Sequence, residues 1–517
     1  MSNRFLYFTV FSTGMTTLAV ELSASRLLGA VFGTSNLVWA SVIGLILLFL
    51  TLGYFVGGRW ADRRPEFGLF YQIILWGAFL SGLVPLIAKP VLSTAANAFD
   101  ALNIGLLLGA FTSVLVLFII PITLLGMVSP FAIRLAVKKT EEAGEVSGRI
   151  YALSTFGSFI GTFLPVLLVI PLFGTTRTFL IFSFYLMTIA LFALIRIGGF
   201  RSSAKWLLLP IGLGIVAWLW SNAAIKSSTG QIFETESAYN YIQVLESGNT
   251  RYLRLNEGQG VHSIYSPDQL DYAGPWSQFL VAPFFNEPPF KMDQVESIAI
   301  IGLAAGTSAF QATEVFGSIP IDGYEIDPQI ISVGQEFFGM TMPNLNPIAE
   351  DGRWGLRNSE DRYSLIEIDA YRPPYIPWHL TTVEFFQLTK DRLTVNGALA
   401  INVGRAPEDR ALINTLVATL REVYASVHVM DVPNTFNSIV YATVQSTSFV
   451  NLTQNLDLLN QSEAHPLLVT AIERTISNQQ PIESGAKVLT DDLAPIESIV
   501  NAMVLNFVFA GNLEDLQ

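Results

Sequence analysis

Ser297-Ile298-Ala299-Ile300-Ile301-Gly302-Leu303-Ala304-Ala305-Gly306-Thr307 is the stretch on which the fold of the C-terminal half turns. Its first five residues form a short apolar run of the kind that makes a strand buried on both faces. The run enters a turn bearing Gly302 and Gly306, and the turn opens a helical stretch from Ser308 to Phe316. A second strand is expected over Ile319 to Ile326, ending in Glu325-Ile326-Asp327, and Glu325 lies 23 residues beyond Gly302. Glycines permit close backbone approach, and an acid at that distance accepts both hydroxyls of a ribose. The pattern therefore predicts a nucleotide-binding βαβ unit.

The same texture continues toward the C-terminus. Tyr363 to Asp369 reads as another buried strand ending in an acid, Glu384 to Leu393 as a helix, and Gly397 to Val403 as a strand. Strands alternating with helices give a mostly parallel, Rossmann-like sheet. Its ligands bind at the carboxyl ends of the strands. Gly302, Glu325, Asp351 and Asp369 gather there, beside Gly306 and Asp327, as candidate ligand-binding residues. The competing reading is that these acids cap helices and decorate loops.

Toward the N-terminus, residues 234–285 alternate apolar and polar, as in Tyr241-Ile242-Gln243-Val244-Leu245 and Arg251-Tyr252-Leu253-Arg254-Leu255. This predicts a small antiparallel β unit. Residues 223–233, with Ser227-Ser228-Thr229-Gly230, read as a linker, and residues 286–517 as the Rossmann-type domain.

Residues 1–222 are of a different kind. Candidate membrane spans fall at about 5–31, 36–58, 69–90, 102–134, 149–172, 176–197 and 204–222, which makes about seven helices of bilayer-crossing length. Gly53-Tyr54-Phe55-Val56-Gly57 and Gly157-Ser158-Phe159-Ile160-Gly161 place small residues one turn apart, for packing within the bundle or for a homo-oligomer. Glu21 and Arg26 lie inside the first span, where ionisable groups are costly. They read as a structural charge pair or as part of a substrate or ion path.

Composition agrees with this division. The chain of 517 residues is 51% hydrophobic and 14% charged, against about 25% charged in a typical soluble domain. Residues 1–224 carry 14 Lys+Arg and 7 Asp+Glu, a net of +7, and residues 225–517 carry 15 and 35, a net of −20. A basic apolar half and an acidic half predict a lipid-embedded domain followed by a solvated one. The acidic half excludes nucleic acid as a partner, since phosphate binding needs clustered cations. Cysteine is absent, so thiolate chemistry and disulfides are excluded. His262, His379, His428 and His465 are too scattered to suggest a metal site. Basic clusters at Arg59–Arg64, Arg134–Arg149 and Arg196–Lys205 occupy alternate loops. Such loops stay cytoplasmic, and an odd span count then puts the C-terminal domain on the non-cytoplasmic side.

These residues resemble a known family. The soluble half is similar to spermidine synthase, an aminopropyltransferase on the methyltransferase-like sheet, and the whole chain resembles its membrane-fused relatives. The matching runs include Ser237-Ala238-Tyr239-Asn240-Tyr241-Ile242, Glu325-Ile326-Asp327-Pro328, Pro377-Trp378-His379-Leu380-Thr381-Thr382-Val383-Glu384-Phe385-Phe386 and Leu489-Thr490-Asp491-Asp492-Leu493-Ala494-Pro495-Ile496-Glu497. The resemblance implies decarboxylated S-adenosylmethionine, or a related adenine nucleoside, as ligand. It implies that Glu325 holds the ribose, that Asp351 contacts the adenine amine and that Asp369 closes the strand beside the reaction centre. Two acids are replaced: the one gripping the ligand's amine by Ala305, and the base for the attacking amine by Arg372. Arginine stays protonated and cannot accept that proton. The acidic patch that receives the polyamine is reduced to Asp268, Asp271 and Tyr272.

Three functions follow as expectations. The first is a membrane-anchored protein, degenerate for aminopropyl transfer, that binds a nucleoside-like ligand or a protein partner. The second is an active aminopropyltransferase, or a related S-adenosylmethionine-type transferase, with relocated acids (Asp369, Asp327 or Glu367). The third is a transporter whose soluble domain senses substrate.

Overall fold

The computed structural model describes residues 2–32, 36–101, 105–220, 228–256, 260–371, 376–407, 409–462, 464–483 and 485–509. Arg372 lies outside these residues, as do residues 223–227 of the expected linker. Two compact units divide the chain. The first runs through Ser228 and takes in Glu234–Tyr241, and the second holds Thr229–Phe233, Ile242–Leu255 and the C-terminal half.

The first unit is helical: α1 (Asn3–Phe32), α2 (Asn36–Arg63), α3 (Phe67–Ala101), α4 (Gly105–Gly126), α5 (Val128–Ala136), α6 (Ala143–Leu164), α7 (Ile170–Gly198), α8 (Phe200–Ser203) and α9 (Leu208–Trp220). Among the described residues, six apolar stretches of helix are long enough to cross a bilayer, where the sequence reading has seven. The difference lies in Thr140–Gly198, which runs for 59 residues without a loop. Continuous helix of that length would measure about 90 Å, nearly three hydrocarbon thicknesses. It breaks at Gly174, whose backbone (φ 80, ψ 167) leaves the helical region.

Helix α1 packs on α6 through glycine. A Cβ on Gly157 would lie 2.0 Å from the Phe11 carbonyl oxygen, and one on Gly161 2.1 Å from that of Met15. On α2, a Cβ at Gly53 would lie 2.4 Å from the Thr123 carbonyl oxygen. Both glycine pairs thus serve contacts within the chain. Hydroxyls inside the unit turn back on their own helix, with Thr13 Oγ1 donating to the Thr9 carbonyl at 2.9 Å and Thr17 Oγ1 to that of Thr13 at 2.8 Å. This satisfies a polar group without a second helix. Large apolar side chains face outward, among them Leu48, Phe55, Phe156, Phe159, Leu167 and Trp218.

An antiparallel sheet has the order β1 (Gln231–Glu236), β2 (Tyr241–Ser247), β3 (Thr250–Leu255), β4 (Val261–Tyr265), with Glu234–Glu236 and Tyr241 counted in the first unit and the rest in the second. Strand β1 starts inside the stretch read as linker. The antiparallel unit also ends sooner than read: after Tyr265 the chain forms α10 (Trp276–Phe279) and a 3-10 turn (Ala282–Phe285). Consecutive buried Phe284 and Phe285 cannot alternate between faces. They join the core of the larger sheet instead.

That sheet has the order β12-β10-β11-β9-β8-β5-β6-β7. Its strands are β5 (Ile298–Ile301), β6 (Ile321–Glu325), β7 (Leu345–Ala349), β8 (Tyr363–Ile368), β9 (Leu393–Gly404), β10 (Ser426–Asp431), β11 (Asn437–Thr443) and β12 (Gln479–Gln480). Strands β7-β6-β5-β8-β9 are parallel and the remaining three pairings antiparallel. Helices α11 (Thr307–Phe316), α12 (Pro328–Phe337), α13 (Gly352–Asn358), α14 (Val383–Arg392), α15 (Ala411–Arg421), α16 (Phe449–Asn460), α17 (Pro466–Ser477) and α18 (Ile496–Phe509) complete an α/β fold. Strand order reverses between β5 and β8, the kind of switch point at which open α/β sheets bind ligands.

Candidate functional site

The turn after β5 is shaped by three residues with positive φ: Gly302 (89), Ala304 (48) and Gly306 (87). The N–H groups of Gly302 and Leu303 both donate to the Tyr324 carbonyl, at 2.9 and 3.0 Å, which ties the turn to β6. Gly306 is the N-cap of α11. Glu325, at the end of β6 and 8% exposed, closes the loop from below. Its Oε2 accepts the Ala304 N–H at 3.0 Å and its Oε1 the Asp327 N–H at 3.1 Å. Burial pushes this carboxyl up to about 7, and the two backbone N–H groups pull the other way. The carboxylate keeps acceptor capacity beyond these two bonds.

Strand β4 covers the turn. Ser263 Oγ accepts the Ala305 N–H at 3.0 Å, and Thr307 Oγ1 both accepts from the Ile264 N–H and donates to its carbonyl, each at 2.9 Å. The Ala305 methyl is buried with Ile242, Val244, Leu253 and Ile330.

The other acids divide into two groups. Asp327 caps α12, accepting from the Gln329 N–H at 3.1 Å. Asp351 caps α13 with Oδ1, accepting from Arg353 and Trp354 at 3.1 and 3.0 Å, and its Oδ2 lies 2.9 Å from His379 Nε2. That hydrogen bond holds the Asp351 carboxyl below the usual range. Arg353 next donates to the His379 carbonyl at 2.9 Å and pairs with both oxygens of Asp491 at 2.7 and 2.6 Å. Thr382 donates to Asp491 at 2.7 Å. Three runs distant in sequence (351–353, 379–384 and 489–491) are thereby stitched into one wall.

Asp369 and Glu367 stand at the switch point itself. Asp369 follows β8, is half-buried, and accepts from Asn402 Nδ2 at 2.9 Å. Burial pushes it up to about 7. Glu367, fully buried inside the sheet, accepts from the Ser308 hydroxyl through Oε2, while its Oε1 has no hydrogen-bond partner among the described residues. It is pushed up to about 8, chiefly by burial.

Residues read as remnants of a polyamine patch are engaged otherwise. Asp271 pairs with Arg474 at 2.8 Å, Asp268 accepts from Asn249 at 2.7 Å, and the Tyr272 hydroxyl accepts the Ser266 N–H at 2.9 Å. Of the histidines, His428 stacks on Phe285 at 4.4 Å and His465 caps α17. In the helical unit, Glu21 is buried, and Arg26 donates to the carbonyls of Ser237 and Ala238. Sequence reasoning did not find Ser263, Ser308, His379 or Asn402 as partners. Each meets its acid or turn across 28 to 59 residues of chain, with no local pattern to announce it.

No family model matches the chain. Over 289 residues it is 29% identical to a probable polyamine aminopropyl transferase of Bifidobacterium longum, covering 52% of this chain and 62% of that protein. A polyamine aminopropyltransferase of Vibrio vulnificus is 27% identical over 300 residues, covering 54% of this chain and 95% of the relative. The chain therefore spans under two thirds of the length of the first of these relatives. Among solved structures, a probable spermidine synthase from Corynebacterium glutamicum superposes with a TM-score of 0.38 at 16% identity, over 51% of this chain and 99% of that one. Spermidine synthase from Thermotoga maritima gives 0.37 at 16% identity, over 55% and 87%. The C-terminal half is thus homologous to the polyamine aminopropyltransferases.

Proposed function

We propose that the chain is a membrane-anchored relative of the polyamine aminopropyltransferases that binds an adenine nucleoside at the β5–β8 switch point and has lost aminopropyl transfer. The surroundings of Ala305 carry this reading. An acid is expected there to grip the ligand's amine. Here the N–H is taken by Ser263 Oγ, and Ala305 is buried in one apolar cluster with Ile242, Val244, Leu253 and Ile330. A carboxylate in that apolar enclosure would lack both water and a partner. Arg372, at the second replaced position, cannot accept a proton from an attacking amine. Glu325, in contrast, retains acceptor capacity for a ribose.

One observation favours a second reading, a working transferase. Asp369 is half-buried, oriented by Asn402 and pushed up to about 7, which suits a general base near neutral pH. Full-length protein in nanodiscs separates the two. Calorimetry should detect binding of decarboxylated S-adenosylmethionine or adenosine, abolished by Glu325→Ala, with no spermidine formed from putrescine. Turnover that disappears in Asp369→Asn would replace the first reading with the second.

Anchoring is supported by the outward apolar side chains of the helical unit, such as Phe55, Phe159, Leu167 and Trp218, which need lipid rather than water. Counting the break at Gly174 as a turn between two crossings gives seven spans, and the basic loops then favour a non-cytoplasmic C-terminal half. Introduced cysteine has no background in this chain. A Ser228→Cys variant should react with an impermeant maleimide in intact cells, and protection there would reverse the sidedness.

A further inference from the structure

We infer that Glu234–Tyr241 is a strap fastened to one end of the helical unit, with Arg26 and Glu236 as its two fasteners. The strap is a preformed knob. The Ser237 N–H donates to the Asn240 carbonyl at 2.9 Å, and Ser237 Oγ accepts the N–H groups of Tyr239 and Asn240 at 3.0 and 2.9 Å. Asn256 braces it, accepting the Tyr241 N–H at 3.1 Å and donating to Asn240 Oδ1 at 2.9 Å. Closed in this way, the knob turns carbonyl oxygens toward α1. Arg26 Nη1 donates to the Ala238 carbonyl at 2.9 Å, and Nη2 donates to that of Ser237.

The second fastener uses the break in the long apolar stretch. Gly174 has φ 80, and a Cβ there would lie 3.3 Å from Glu236 Oε2. Thr175, where helix resumes, offers an N–H with no carbonyl a turn behind it. Glu236 Oε2 accepts that N–H at 2.5 Å. Its carboxylate also completes the positive end of the helix dipole. Arg26, expected to pair with Glu21 or to line an ion path, is thus assigned to holding backbone carbonyls.

The fastening has a consequence for topology, which rests on the membrane-anchored reading. Arg26, Thr175 and Glu236 must share one membrane face. That holds only if Thr140–Gly198 is two crossings with Gly174 between them, and if residue 236 and the N-terminus face opposite sides. No charge rule enters this deduction.

Full-length protein in nanodiscs tests the strap by hydrogen exchange over 228–241 and 171–180. Loss of one capping or clamping group should speed exchange about fivefold or more. In Arg26→Gln the acceleration should centre on 237–240, and in Glu236→Ala it should reach Thr175. Unchanged exchange in both variants would overturn the strap. Should either variant fail to fold, single cysteines in the otherwise unaltered chain decide. Phe173→Cys and Ala238→Cys should be labelled from one side of the membrane and Ser2→Cys from the other. Labelling of 173 and 238 from opposite sides would overturn the inference. Release of the unaltered chain from membranes by alkaline carbonate would instead sink the anchoring reading and leave the exchange result to judge the strap.

Discussion

Gly302 and Asp369 meet at the switch point: a Cβ on Gly302 would lie 2.6 Å from the carbonyl carbon and oxygen of Asp369. The glycine turn after β5 and the strand end that carries the candidate base are therefore in backbone contact. Glu325, two strand ends away from Asp369, pins the same turn through the Ala304 N–H.

Gly302→Ala should accordingly damage the turn twice. A side chain at φ 89 costs about 1–2 kcal/mol, and the Cβ must also push Asp369 aside. We expect a lower midpoint in thermal unfolding of the full chain and loss of adenosine binding by calorimetry. A variant with unchanged midpoint and unchanged affinity would mean that the contact with Asp369 has no bearing on the site.

Ala305→Asp separates the two functional readings. If the missing acid alone explains lost transfer, restoring it should bring back binding of the ligand's amine. The apolar surroundings of Ala305 predict the opposite, a destabilisation of about 2–4 kcal/mol. Chemical denaturation gives the stability and a putrescine assay the activity. Tighter binding at undiminished stability would refute the argument from burial.

The glycine pairs of the helical unit make a third test. Gly157→Leu places a Cβ 2.0 Å from the Phe11 carbonyl oxygen, in a contact with backbone that cannot yield. Unfolding should come earlier, by the equivalent of about 1–3 kcal/mol, with no change in mass by light scattering in detergent. A dimer that falls apart while the midpoint stays put would show that the pair serves self-association.

What could be read from sequence followed from local signals. The β5 strand, its glycine turn and the acid ending β6 were legible, because apolar runs and glycines act within a few residues. Strand β7 was not, since Asn346 and Pro347 interrupt its pattern and only pairing with β6 defines it. Strands β10 and β11 form an antiparallel extension beyond β9 that the alternation of strands and helices does not announce. For two of the acids the competing reading, helix capping, is the one the structure shows. Asp327 and Asp351 turn out to be helix caps, and the His379 and Arg353 contacts that build the wall around Asp351 come from pairings remote in sequence.

Ligand binding should depend on pH through Glu325. Its folded-state value of about 7, against an ordinary 4.5, means that the folded chain holds this proton more tightly than the unfolded one. The associated stability is present below about 4.5 and lost as pH rises through about 7. Ribose hydroxyls donate, and the ionised carboxylate is the stronger acceptor. Ionisation thus costs the empty fold stability and at the same time readies it for the ligand. For one group titrating at about 7, adenosine affinity should rise about tenfold between pH 6 and pH 8. Asp369 is also pushed up to about 7 and could contribute to the same profile. Two variants divide the effect: Glu325→Gln should flatten the profile and weaken binding, whereas Asp369→Asn should leave the rise in place. Calorimetry at several pH values on the full chain reads both. A dissociation constant that stays level from pH 6 to pH 8 in the unaltered protein would remove Glu325 from the binding site, and a rise that disappears only in Asp369→Asn would hand the role to Asp369.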